Sequence, residues 1–551
     1  MASRRKLACW AVAVLATATA TIAPTSAAQA AVTGDTTLLS VTSAGATVSF
    51  GGLDPAVSDS GAVVAFESFA STYVANDTNG QRDVFVRDRD AGTTQAASVS
   101  SGEVLGNGSS IGASVSDDGT KVVFESSSSN LVRGDRNGVT DVFLRDLVAG
   151  TTVRVSLTDG DTAANGASSD AMISGDGTKV VFASGATNLV AGDTNAKRDV
   201  FVRDLVAGTT TRISRSGATQ GNGASTAPSI SDDGGEVAFE TLASNLVTGD
   251  TNGTSDVMVW TGGAGVTRIS HPGNLGQSNG ASARPAMRGD GLVVAFESAA
   301  SNLVTGDTNG RTDVFLLTLA APLPNRVSVS TSGGQANGDS TRASLSDDGL
   351  LVAFATDATN LVTGDTNGRI DVAVRDFATL TTSLVSLPTG RGKANGDSTS
   401  PALAGTAPVV VYHSTASNLV AADTNALPDV YSSTALRCDG RGVTVDLGAA
   451  QTPTAAADVV RGTANADTVD LGAGADRACL GAGDDQVHGG SDGDRIFGSG
   501  GLDQLAGDAG ADALFGEAQA DALDGGPDTD ACDGGGATDT AVNCETTTGV
   551  P

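Results

Sequence analysis

The chain has 551 residues, a formal net charge of −31, 72 glycines and only 4% aromatic residues. So acidic a surface repels phosphate backbones and argues against nucleic acid as a partner. Scarce aromatics and abundant glycine argue against one aromatic-rich core and for many short strands joined by tight turns.

Residues 1–30 read as a signal peptide. Arg4, Arg5 and Lys6 precede the apolar run Leu7–Ala20, and Ala28-Gln29-Ala30 offers small residues at a cleavage spacing. Cleavage after Ala30 leaves a mature charge of −34. The run is short of a bilayer span, and no later segment is long and apolar enough, so the expectation is a secreted, extracellular protein with no transmembrane segment in the mature chain. Cys9 opens the apolar run rather than closing it, and Lys6 stands three places before it, which disfavours a lipoprotein cysteine.

From residue 31 to 437 a unit related to Ser-Asn-Leu-Val-x-Gly-Asp-Thr-Asn-Gly-x-x-Asp-Val-Phe recurs seven times, with leading aspartates Asp77, Asp135, Asp193, Asp250, Asp307, Asp365 and Asp423 spaced 57 or 58 residues apart. A fixed period of this kind means one supersecondary unit in tandem. One unit, 228–270, contains four β-prone runs: Ser229–Ser231, Glu236–Glu240, Asp256–Trp260 and Val266–Ile269. The first two are joined by Ser-Asp-Asp-Gly turns at Ser116–Gly119, Ser231–Gly234 and Ser346–Gly349. Phe66, Phe124, Phe182, Phe239, Phe296, Phe354 and Tyr412 recur in the second run and read as wedges between units.

Pro228–Phe239 resembles the Pro-x-x-Ser-x-Asp-Gly-x-x-Val-Ala-Phe pattern of WD40-like (PD40-type) repeats in TolB-type proteins. The resemblance implies an all-β, seven-bladed β-propeller. The chain departs from it in lacking the Pro before Asp-Gly, in its longer repeats, and in Ala404-Gly405-Thr406, which replaces the acidic turn of the seventh unit. That unit ends at Asp429–Ser433 without a fourth strand, while Thr36–Val41 is an orphan run, so pairing the two closes the ring. Meander topology then gathers the Asp-Thr-Asn-Gly loops and the loops at Asn107, Asn165, Asn222, Asn279, Asn337 and Asn395 on one face, the expected place for an unidentified protein or glycan ligand.

Asp307-Thr308-Asn309-Gly310-Arg311-Thr312-Asp313 puts oxygen side chains at its first, third and seventh places, and it resembles the Asp-x-Asn-Gly calcium loops of integrin-type propellers. Arg311 stands where those loops carry another oxygen. The competing reading, slightly favoured, is structural: Asp307 caps the loop, Asn309-Gly310 turns it, and Asp313 bonds backbone. The seven leading aspartates are thus weaker metal candidates or structural groups.

In residues 438–551 a nine-residue period takes over, with Asp467, Asp476, Asp485, Asp494, Asp503, Asp512, Asp521, Asp530 and Asp539 in register. Glycines precede them, and Val469, Val487, Ile496, Leu505, Leu514 and Leu523 follow two places later. This resembles the Gly-Gly-x-Gly-x-Asp-x-U-x nonapeptide of RTX proteins. The resemblance implies a small parallel β-roll whose turns bind several Ca²⁺ ions through these aspartates. The segment holds 21 acidic residues against four arginines, so its metal-free state is strained by repulsion. The fittest turns centre on Asp485, Asp494, Asp503 and Asp512; Gly516–Asp521 lacks the second glycine, and the turns before Asp467 and Asp476 are imperfect. An N-terminal export signal is a further departure, since classical RTX proteins use an uncleaved C-terminal one. Cys438, Cys479, Cys532 and Cys544 allow three disulfide pairings, of which Cys438–Cys479 and Cys532–Cys544 close the shorter loops. Zinc would need a Cys-x-x-Cys or paired His that the chain lacks.

Catalytic signals are weak. His271, His413 and His488 have no partner at triad or metal spacing, and His413 replaces the Glu of Glu67, Glu125, Glu240 and Glu297. Gly108-Ser109-Ser110-Ile111-Gly112 lacks the following helix of a nucleophile elbow. Arg288-Gly289-Asp290 is a turn rather than an adhesion signal. The expectation is a non-enzymatic, calcium-binding secreted protein whose propeller is a ligand-binding scaffold. An extracellular propeller hydrolase or lyase, or a structural cell-surface protein, are the alternatives.

Overall fold

The computed structural model describes residues 36–550, except 76, 274–275, 363–364, 378–379, 389–392, 426, 435–436, 439–440, 443–444, 448–451, 464 and 482. The signal-peptide assignment of residues 1–30 lies outside the described residues. Seven four-stranded antiparallel sheets follow one another as blades. In the second blade, for example, the strands are Ser110–Val115, Lys121–Ser126, Asp141–Asp146 and Thr151–Arg154. The middle strands read as apolar runs because neighbouring blades bury both faces: Val122, Val123 and Phe124 are fully buried. The seven wedge aromatics are fully buried as well, and Phe124 stacks on Phe143 of the third strand at 5.8 Å.

Ring closure follows the sequence expectation. Thr37–Leu38 completes the seventh blade beside Asp429–Thr434, with Leu38 opposite Tyr431. Ser40 then donates to Asp429 Oδ1 at 2.5 Å, the role Ser156 plays for Asp141 in the second blade (2.6 Å).

The innermost strands differ from expectation in length. In the fourth blade the strand runs Ser225–Ile230 rather than starting at Ser229, and its register shifts between Thr226 and Ser229. The bulge residue takes positive φ in every blade: Asp54, Gly112, Asp170, Ala227, Arg284, Arg342 and Ser400. Small polar residues hide this strand, and a bulge breaks the alternation by which strands are recognised. The freed N–H groups are taken by the preceding blade. Gly112 donates to Glu67 Oε1 (2.6 Å), Arg342 to Glu297 Oε2 (3.0 Å) and Asp54 to His413 Nδ1 (3.2 Å). His413 thus performs the glutamates' task.

The terminal segment winds as a parallel β-solenoid with one seven-stranded and one five-stranded sheet. Strand partners are 18 residues apart, Val469 with Val487 and Ile496 with Leu514, so two nonapeptides make one coil. Val460, Ala478, Ile496 and Leu514 from one sheet meet Val469, Val487, Leu505 and Leu523 from the other in the interior. Disulfides Cys438–Cys479 and Cys532–Cys544 are formed, with Cα separations of 5.6 and 6.0 Å. The first sits beside Val459 and Phe497, outside the solenoid interior. Among the described residues no helix is long and apolar enough to cross a membrane.

Candidate metal centre in the terminal roll

Eight of the nine aspartates of the nonapeptide register, Asp476 to Asp539, are turned inward and bolt neighbouring coils together. Oδ1 accepts the backbone N–H of the aspartate 18 residues earlier: Asp476 from Asp458 (2.6 Å), Asp485 from Asp467 (2.7 Å), Asp494 from Asp476 (2.8 Å), Asp503 from Asp485 (2.9 Å) and Asp512 from Asp494 (2.8 Å). The ladder continues through Asp521, Asp530 and Asp539, and at its end Glu545 Oε2 accepts the Asp530 N–H (2.7 Å). One oxygen of each carboxylate is therefore spent on backbone.

The other is not. Oδ2 of Asp476, Asp485, Asp494, Asp503, Asp512, Asp521, Asp530 and Asp539 is buried without a hydrogen-bond partner. A lone buried carboxylate oxygen is costly unless a cation or proton meets it. From Asp494 to Asp539 the glycine five places before each aspartate lies against that oxygen, whereas Leu471 and Leu480 hold that place before Asp476 and Asp485. A Cβ on Gly489 would stand 2.7 Å from Asp494 Oδ2 and 2.6 Å from the carbonyl oxygen of Gly507; one on Gly507, 2.5 Å from Asp512 Oδ2 and 2.6 Å from Gly525 O. Glycine keeps open a cradle where a carboxylate and a backbone carbonyl of the next coil converge. Hard oxygen donors in a glycine-cleared cradle suit Ca²⁺. Among the described residues no three acidic, His or Cys side chains cluster, so the donor set is one carboxylate per turn plus backbone.

Burial raises the carboxyls of Asp476, Asp485, Asp494, Asp503, Asp512 and Asp521, with neighbouring carboxylates adding to it. Asp485 and Asp494 are pushed up to about 7, and Asp476, Asp512 and Asp521 to about 6, while backbone N–H donors pull the other way.

Asp467 behaves differently. Its Oδ2 accepts the Thr463 N–H at 2.6 Å, and Thr463 Oγ1 donates to Oδ1 at 3.2 Å. Asp458, nine places earlier and absent from the sequence reading, is closed the same way by the Thr454 N–H (2.6 Å) and hydroxyl (2.9 Å). Threonine where glycine would stand marks both turns, a signal present in the sequence. The imperfect turn before Asp521 keeps its orphan oxygen, because Glu517 and Gln519 take positive φ in place of glycine.

The propeller aspartates are largely spoken for. Arg154, Arg212, Arg268 and Arg326, from the fourth strands of blades two to five, lie 2.8, 3.1, 3.7 and 3.3 Å from Oδ1 of Asp135, Asp193, Asp250 and Asp307. Asn309 donates to Asp313 Oδ2 (2.8 Å) and to the Ala336 carbonyl (3.2 Å). Asp313 is thus bonded by side chains, Asn309 and Ser328 (2.6 Å), rather than by backbone. The loop asparagines also bond locally: the Asn107 N–H donates to Asn130 Oδ1 (2.9 Å), a clip repeated at Asn165, Asn222, Asn279, Asn337 and Asn395.

Residues 454–541 match, in four overlapping copies, the family model described as the RTX calcium-binding nonapeptide repeat. The terminal roll is accordingly an array of RTX calcium-binding repeats. Comparison with curated proteins gives no match. Similar solved structures include TolB from Acinetobacter baumannii, 16% identical over 55% of this chain and 58% of that one, with a TM-score of 0.33. The chain thus spans a little over half of that TolB's length. The β-propeller domain of the trilobed protease from Pyrococcus furiosus is 11% identical over 70% of this chain and 94% of that one, with a TM-score of 0.44. An oligogalacturonate lyase in complex with manganese is 14% identical over 74% of this chain and 95% of that one, also at 0.44.

Proposed function

We propose that this is a secreted, non-enzymatic protein whose terminal roll takes up several Ca²⁺ ions outside the cell and whose propeller is a scaffold for a protein or glycan ligand. The observation that carries the calcium reading is the column of eight buried, partnerless Oδ2 atoms, six of which, from Asp494 to Asp539, face a glycine-cleared cradle. When bound, Ca²⁺ supplies the positive charge that these oxygens lack, and affinities of about 10⁻⁴–10⁻³ M are typical of extracellular calcium modules. Two disulfides and the export signal support the extracellular assignment. The non-enzymatic reading is supported by the backbone commitments of the buried propeller acids, such as Glu67 and Glu297.

Isothermal calorimetry on the chelated mature chain, titrated with Ca²⁺ and then with Mg²⁺, tests the metal. Several Ca²⁺ ions with little Mg²⁺ response support it, whereas no uptake at millimolar Ca²⁺ removes it. Turnover in a screen of polysaccharide and peptide substrates would favour the hydrolase or lyase alternative.

A further inference from the structure

The acid pair at the head of each blade's third strand is kept all round the ring, but its arginine is not. Arginine stands opposite Phe143, Phe201, Met258 and Phe315 in blades two to five. Ala96, Leu384 and Leu38 hold that register position in blades one, six and seven. Three pairs, Asp77/Asp83, Asp365/Asp371 and Asp423/Asp429, therefore lie without the guanidinium that neutralises their sisters.

These three are not equivalent. In the first blade both Asp83 oxygens are bonded, to Ser98 (2.6 Å) and Asn79 (2.7 Å). In the sixth, burial raises the Asp365 carboxyl, but the Asn367 N–H and the charge of Lys393, whose ammonium reaches Thr366 Oγ1, oppose it. The seventh has neither remedy. Asp423 and Asp429 are 7% and 1% exposed. Asp429 Oδ1 takes the Ser40 hydroxyl, while its Oδ2 is buried without a hydrogen-bond partner. In the sister blades Oδ2 is the oxygen that faces arginine, as Asp199 Oδ2 does Arg212 at 3.4 Å. Asn425, whose counterpart Asn137 bonds both that oxygen (2.7 Å) and the Ala164 carbonyl (3.1 Å), keeps only the carbonyl bond at full strength, to Val48 O (3.0 Å), and its amide toward Asp429 favours the charged carboxylate. Two phenols complete the surroundings. Tyr431 OH donates to Asp423 Oδ2 (2.7 Å), and the hydroxyl of Tyr73, a residue 5% exposed, is buried without a partner and held protonated chiefly by burial, with the Asp429 charge adding to it.

We propose that Asp423 and Asp429 hold a hard divalent cation at the ring closure, in the place that arginine fills in blades two to five, with the Tyr73 hydroxyl turned toward it. Ser40 belongs to the segment that closes the ring, and its bond to Asp429 Oδ1 ties closure to this site. Neutralising the pair stabilises the seam between the two ends of the propeller. The site is separate from the RTX cradles and stands or falls independently of them.

Terbium luminescence tells the two apart, because Tb³⁺ replaces Ca²⁺ and emits when a neighbouring tyrosine or tryptophan passes it energy. Tyr73, Tyr412 and Tyr431 are the chain's three tyrosines, and residues 438–551 contain neither tyrosine nor tryptophan. With the full mature chain, tyrosine-sensitised Tb³⁺ emission that Ca²⁺ competes away is expected. Asp429→Asn abolishes it, and so does Leu38→Arg, which restores the sister blades' arginine and keeps the ring folded. Absence of emission from the wild type, or its persistence in folded Leu38→Arg, overturns the proposal. Calorimetry of the same Leu38→Arg chain should still show uptake by the roll, so a failure of the RTX reading is seen separately.

Discussion

The backbone N–H of Asp494 donates to Asp512 Oδ1 at 2.8 Å, and the same carboxylate leaves its Oδ2 buried with no partner. One side chain thus serves two masters, the ladder between coils and the cation cradle, and substitutions separate them. Asp512→Asn keeps an oxygen for the Asp494 N–H but removes the charge, so calorimetry should show fewer bound Ca²⁺ ions with the coil intact. Asp512→Ala also orphans the N–H, adding a penalty of about 1–3 kcal/mol. Equal thermal stability of the two variants in chelator would contradict this division of labour.

Metal-free stability should fall as pH rises. Asp485 and Asp494 are pushed up to about 7, and Asp476, Asp512 and Asp521 to about 6, chiefly by burial. A carboxyl raised on folding binds more protons folded than unfolded, so its contribution is fully present below its unfolded value near 4 and is lost as pH passes 6 to 7. In chelator the roll should therefore melt at lower temperature at pH 8 than at pH 5. With Ca²⁺ present the order reverses, since the ion replaces the protons, and apparent affinity climbs over that interval with proton release. Thermal melts of a chain comprising residues 31–551 across pH, with and without Ca²⁺, decide it.

Blade count, ring closure and the roll were legible because each rests on a strict period with apolar residues in phase, as Phe124 and Val469 illustrate. The innermost strands were not, because Ser225-Thr226-Ala227 carries neither alternation nor β-branched density and its bulge interrupts register. Nor was the partnership between Arg212 and Asp193, 19 positions apart, since only cross-strand pairing brings them within 3.1 Å. The two turns closed by Thr454 and Thr463 were readable in principle: a hydroxyl and an N–H can occupy an oxygen that elsewhere waits for metal.

Arg212 tests the propeller loops. Its guanidinium is 8% exposed and lies 3.1 Å from Asp193 and 3.4 Å from Asp199, whose side chains are 2% and 0% exposed. Arg212→Ala leaves two buried carboxylates facing one another and should destabilise the propeller by about 3–5 kcal/mol in denaturant unfolding. Arg212→Ala with Asp193→Asn should recover much of that loss. If the single variant unfolds like the wild type, these pairs are not what holds the loops.

His413 offers the last test, because it is the odd member of a ring of acceptors. Its Nδ1 takes the Asp54 N–H at 3.2 Å where Glu67 takes that of Gly112 at 2.6 Å. Burial lowers the imidazole, with the Asp54 charge opposing, so the ring stays neutral and Nδ1 is free to accept. A depressed basic group costs stability only in acid: the folded chain resists protonation that the unfolded chain accepts below about 6.5, and protonation also removes the acceptor. His413→Ala should cost about 0.5–1.5 kcal/mol at neutral pH, the net worth of one hydrogen bond, because the exposed Asp54 N–H can turn to water. His413→Gln, which retains an acceptor, should recover part of this and flatten the acid-side loss. A His413→Ala chain as stable as the wild type would show that the first and seventh blades are held by the closing strand alone.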